Sequence, residues 1–148
     1  MSYIPADAAW YIAELLEEIT VESDPRNVVH RNFVLIRADS PDEAYDKALA
    51  LGRQSEISYQ NPEGKQVHIA FRGLSELNVI HDDLKHGAEI FYEETIRVPK
   101  HEIEKWILPK DQLAVFRDIE PAQGPNYSCK EIMEDLHRAI KNSTRFGG

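Results

Sequence analysis

A single cysteine, Cys129, is all that the 148 residues contain. An internal disulfide is therefore excluded, and a reducing compartment is the expected setting. Long apolar runs are missing too. No window approaches the roughly 18 consecutive apolar residues of a membrane helix. Residues 1–7 hold neither a basic start nor an apolar stretch. No signal peptide is expected on that ground, and a soluble, cytoplasmic protein is the default expectation. Excess positive charge is also absent: 17 Lys and Arg face 26 Asp and Glu, a formal net charge of −9. A general nucleic-acid binder needs a basic face, so neither nucleic acid nor a membrane is expected as a partner. There is no Gly-rich phosphate loop, no Cys pair at zinc spacing, no nucleophile elbow and no His-Glu-x-x-His helix. These absences lower the expectation of catalysis without excluding it, since triads assemble from distant residues. No cofactor is expected.

The composition present is globular: 42% apolar and 29% charged residues. The length suffices for one domain with a core. The clearest local signal is Ser40-Pro41-Asp42-Glu43. A serine hydroxyl can cap free amides, proline fits the first helical position, and Glu43 completes a capping box. Asp42 and Glu43 also suit the positive end of the helix dipole. The predicted helix runs to about Ser55, with Ala44, Ala48 and Leu51 as its apolar stripe and Gly52 weakening or ending its last turn.

Strands are expected on both sides of this helix. Residues 31–39 carry apolar side chains on both faces, the pattern of a central strand covered on both sides over part of its length. Residues 57–60 and 65–72 flank Asn61-Pro62-Glu63-Gly64, a type I turn sequence and hence a hairpin tip. Gly73 marks a bulge or bend, and residues 74–80 continue the strand. A further strand is expected over 88–98, with Ile90, Tyr92 and Ile96 opposed to Phe91 and Thr95. Residues 8–21 are balanced on local evidence. Ile12, Leu15, Leu16 and Ile19 fit a helical face, whereas the Trp, Tyr, Ile, Thr and Val content favours a strand. A short helix is expected over 101–108 and a second capped helix over 128–142, where Ile132, Met133, Leu136 and Ile140 form a stripe. The sum is an α+β fold: an antiparallel sheet of about four to five strands with a helix on one face, plus a C-terminal helical appendage. The sheet domain is expected over residues 1–98, with a helical extension over 99–148 packed on it.

Several stretches resemble the bacterial domain-of-unknown-function family 4288 over about residues 10–95. They are Trp10-Tyr11, the run from Val34 to Ala44, Ser58-Tyr59-Gln60-Asn61 before Gly64, Phe71 with Leu74-Ser75-Glu76-Leu77, and Gly87 to Tyr92. The resemblance implies that residues 10–21 form a strand. It implies no activity.

Candidate site residues fall into three groups. His81, Asp82, Asp83 and His86 are the densest set of possible metal ligands, since a divalent metal accepts His nitrogen and carboxylate oxygen. A solvated acidic turn is the competing account. His68 and Arg72, joined by Glu76, share the outward face of a strand pair and could form a polar pocket or bind an anionic ligand; the ordinary solvent face of a half-buried sheet is the simpler account. Tyr59 and Asn61 before the hairpin tip could form a binding loop. The simpler account has Asn61 bonding its own backbone and Tyr59 packing across strands. Trp10, Tyr11 and Trp106 are core residues or partner anchors, and Cys129 is an incidental thiol. The functional expectation is a binding or protein-interaction module. One version masks a basic partner, in the manner of an immunity protein or antitoxin. Homodimerisation through residues 74–80 or 88–96 is compatible with it. The enzymatic alternative would use the His and Asp cluster.

Overall fold

A computed structural model describes residues 4–120 and 123–130. The elements are β1 (Trp10–Val21), β2 (Val28–Arg37), α1 (Pro41–Gln54), β3 (Ile57–Gln60), β4 (Gln66–Val79) and α2 (Lys100–Trp106), followed by two single 3₁₀ turns. The four strands form one antiparallel sheet in the order β2-β1-β4-β3. The fold is α+β, with α1 laid on one face of the sheet. No helix of the described residues is long and apolar enough to cross a membrane.

The balanced first segment is strand β1, at the centre of the sheet. Helical spacing would have placed Ile12, Leu15 and Leu16 together. The strand instead turns Tyr11, Ala13, Leu15, Ile19 and Val21 to one face, and all five are buried. Under α1 the first core gathers Tyr11, Ala13, Leu15, Ile36, Ala38, Ala44 and Ala48. A second, smaller core of Ile19, Val21 and Val67 lies on the same face at the far end of the sheet, flanked by Val28, Tyr59 and Ile69.

The helix cap forms as its sequence dictates, with one change. Ser40 Oγ accepts from the Glu43 N–H at 3.1 Å. The Glu43 carboxylate reaches back to the Asp39 N–H at 3.4 Å rather than to that of Ser40. Gly52 does not end α1, which runs two residues further. A Cβ there would lie 2.4 Å from the Phe71 ring, so glycine is what lets the last turn sit against β4.

β4 is one continuous strand, and two register shifts against β1 bracket Gly73, leaving Arg72 and Ser75 as bulge residues. Gly73 has φ +139° and Gly64, at the β3–β4 tip, φ +80°.

Two expectations fail. Residues 88–98 form no strand. No described strand hydrogen-bonds to this segment, and Arg97 turns it out of the extended region at φ +61°; Tyr92 is 67% exposed and Ile96 is 72% exposed. β2 is not central: among the described residues it is an edge strand, paired with β1 alone. Val29, Phe33 and Leu35, on its face away from α1, are exposed. The pattern of apolar residues on both faces is real, yet among the described residues the face away from α1 is covered only in part, by Phe91 against Phe33.

The expected helix over 128–142 lies almost wholly outside the described residues. α2 is seven residues long and buries none of them.

Candidate functional site

Two places bring polar side chains together. The first is the end of the sheet that carries the second core. There residues 123–128 return to the β1–β2 and β3–β4 connections. Asn61 is fully buried. Its Oδ1 accepts from the backbone N–H groups of Glu63 and Lys65, at 3.0 and 2.9 Å. Its Nδ2 donates to the Asn126 carbonyl at 3.0 Å. Both ends of the amide are thus used, the oxygen for its own turn and the nitrogen for a distant segment. The Tyr59 hydroxyl donates to the Tyr127 carbonyl. Burial, with Cys129 and Tyr127 nearby, pushes the Tyr59 hydroxyl above its ordinary pKa. His30 meets the Tyr127 ring edge-on, with centroids 5.5 Å apart. Pro125 is buried in this contact.

The β1–β2 turn contributes the remaining tie. Arg26 makes a two-point contact with Asp24, Nε to Oδ1 at 3.0 Å and Nη2 to Oδ2 at 2.8 Å. Its Nη1 then donates to the Gln123 carbonyl at 3.0 Å. The hydrogen bonds from Arg26 hold the Asp24 carboxyl down to about 2. A lowered carboxyl contributes stability that is full above its unfolded value and fades as pH falls toward the folded one. Acidification from about pH 4 to about 2 is therefore expected to loosen the Gln123 contact. The amide exchange of residues 123–127 should rise in that window in the wild type. In Asp24→Asn it should already be raised at pH 7.

The second place is a cleft of about 800 Å³ between the opposite face of the sheet and residues 89–95. Glu14, Arg31, Glu76, His81, Asp82, Phe91 and Tyr92 line it, among others. Glu14 is 5% exposed and its carboxylate takes the Arg31 guanidinium as partner. Phe91 reaches the Phe33 ring on β2, centroids 6.4 Å apart. Carboxylates outnumber cations around this cleft. Its floor is the Glu14–Arg31 pair, with Glu76 directly across from Glu14 on β4.

The sequence-predicted residues are distributed as follows. His81 and Asp82 line the cleft, while Asp83 and His86 do not. The Asp82 carboxylate accepts from the Glu89 N–H at 2.9 Å and so closes its own loop. Among the described residues no group of three or more His, Cys, Asp or Glu is placed to hold a metal ion. His68 Nδ1 sits 2.7 Å from Ser58 Oγ, and Arg72 Nε lies 3.8 Å from Glu18. Glu76 belongs to the cleft, so the three do not converge. Tyr59 and Asn61 do act together, on the chain's own residues 126 and 127. Tyr11 is core, Trp10 lies under the Arg37 guanidinium at 5.9 Å, and Trp106 is 61% exposed. Sequence reasoning missed Glu14–Arg31 and Asp24–Arg26–Gln123. The first depends on a strand register that no local signal carries.

A family model described as a domain of unknown function, DUF4288, matches residues 10–92. The chain belongs to the DUF4288 family. No curated protein and no solved structure matches it. The DUF4288 match takes in β1 to β4 and the walls of the cleft up to Tyr92, so the family's own unit is the sheet with α1. Asn61 and Tyr59 lie inside the DUF4288 region, while the residues they hold, 126 and 127, lie outside it.

Proposed function

We propose that this DUF4288 protein is a protein-interaction module whose contact surface is the stretch of residues 81–120. One observation carries the reading: none of these forty residues is buried. They nevertheless include Ile96, Trp106, Ile107, Leu108, Val115 and Ile119, exposed by 51% to 99%. Single exposed apolar residues are ordinary, but a run of this size on one chain marks a surface that another molecule covers. Exposed aromatics such as Trp106 are the side chains that anchor interfaces.

Charge gives the partner its chemistry. Residues 81–120 hold ten Asp and Glu against six Lys and Arg, which makes −4 for the stretch. An apolar groove rimmed by basic groups is the complementary surface. Association with it should be steered by charge and slow as salt rises. Masking of a basic partner is the form of this reading we favour.

The test is a pair of chains used as bait at low salt, the wild type and Trp106→Asp/Ile107→Asp. Both substituted positions are exposed, so the sheet is expected to fold in either chain. The wild type should retain a second, basic chain in stoichiometric amount, and the variant should not. Equal retention by both, or none by either, would contradict the reading.

A further inference from the structure

We infer that two copies of this chain associate through β2, edge to edge and antiparallel, so that the two four-stranded sheets become one. The inference does not rest on the partner surface proposed above.

The starting point is a mismatch between sequence and place. β2 reads Val28-Val29-His30-Arg31-Asn32-Phe33-Val34-Leu35-Ile36-Arg37, apolar on both faces, as strands inside a sheet are. In the single chain it is an edge. The Ala38 N–H donates to Ala9 on the β1 side at 3.0 Å. Alternation along the strand then turns the N–H and C=O groups of residues 29, 31, 33 and 35 outward. Among the described residues no strand pairs with them.

Edges that stay single are normally guarded by a proline, a bulge, shortness or an outward charge. The other edge strand, β3, is four residues long, and where β4 runs on beyond it the strand is bent by two bulges in its pairing with β1. β2 has ten residues, no proline, and an unbroken register with β1. Both of its arginines lean back over β1: Arg31 to Glu14 and Arg37 over the Trp10 ring. Neither guards the edge. Of the outward backbone groups, the Arg37 carbonyl is the one that a described residue takes, Lys47 Nζ at 2.7 Å.

The edge is self-complementary. Antiparallel pairing about a two-fold axis must match outward residues with outward residues. The register that sets Phe33 against Phe33 does so and keeps the two Arg31 side chains apart. It also sets Arg37 of one copy against Val29 of the other, and Val29 lies across from Glu18 on β1. In this register Arg31 faces Leu35 and Arg37 faces Val29, so no like charges stand directly opposite each other along the seam.

Sedimentation of the full chain up to about 0.1 mM tests this, a range that reaches dimers of modest affinity. The wild type is expected at twice the 17.0 kDa chain mass. Leu35→Pro removes only an outward N–H, which an edge strand tolerates, so the monomer should fold and the dimer be lost. Phe33→Lys, at a position 56% exposed, should do the same by placing two like charges at the seam. Trp106→Asp/Ile107→Asp should leave the dimer intact. A wild-type chain that stays at 17.0 kDa, or a dimer that survives both β2 substitutions, would overturn the inference.

Discussion

Asn61→Ala is expected to destabilise the protein by about 3 kcal/mol in chemical denaturation, through three losses at one buried site. The Glu63 and Lys65 N–H groups lose their common acceptor, and the Asn126 carbonyl loses its donor. Donors and acceptors stranded away from water cost roughly 1–3 kcal/mol each when nothing replaces the partner. Water entering the vacated space offsets part of the sum. Tyr59→Phe is the informative companion. It removes one bond, to the Tyr127 carbonyl, from a side chain that is only partly buried. About 1 kcal/mol is expected there. The two variants should also differ in where they loosen the fold. Tyr59→Phe should release residues 126–128 alone, whereas Asn61→Ala should release the hairpin tip with them. Amide exchange resolves the two patterns. Equal, small effects from both would mean that the amide of Asn61 is not the hub of this end of the sheet.

Arg31→Ala is expected to cost about 2 kcal/mol by leaving the Glu14 carboxylate enclosed without its cation. The figure sits below that for a fully buried pair because the Arg31 side chain is 66% exposed and water screens the interaction. The double variant Glu14→Leu/Arg31→Leu should recover most of the loss, because the charge is then gone rather than stranded. Glu14 is flanked by Leu16 and Ile12 on its own face of β1 and by Phe33 on β2, so an apolar side chain suits the position. Denaturant midpoints of the wild type, the single variant and the double variant decide the point. A double variant as unstable as Arg31→Ala would show that the pair matters for something other than an unmatched charge.

Much of this fold is written locally. Ser40 to Glu43 specify a helix start through their own side chains, and Asn61 to Gly64 specify a turn in the same way. Such signals need no knowledge of the rest of the chain. β1 is different. Its residues suit helix or strand, and burial between β2 and β4 decides for strand, which is a property of three segments together. β2 reads as a central strand for a related reason. Apolar residues on both faces suggest cover on both sides, but they do not say whether this chain supplies it. Residues 88–98 alternate like a strand, yet among the described residues they pair with no strand, because alternation does not say whether a strand edge lies alongside. The candidate site was legible only in part. Asn61 and Tyr59 stand out beside a turn, whereas their partners lie 65 and 68 positions away in sequence. Glu14 and Arg31 become a pair only once the β1–β2 register is known.

If residues 81–120 bind another protein, native mass spectrometry of the complexes captured at low salt shows it most directly. The predicted spectrum with wild-type bait contains a stoichiometric second chain bound to one or two copies of the 17.0 kDa protein. The same second chain should be missing with Trp106→Asp/Ile107→Asp. Only 17.0 kDa chains or their dimers in both samples, with no second chain in either, would contradict the claim.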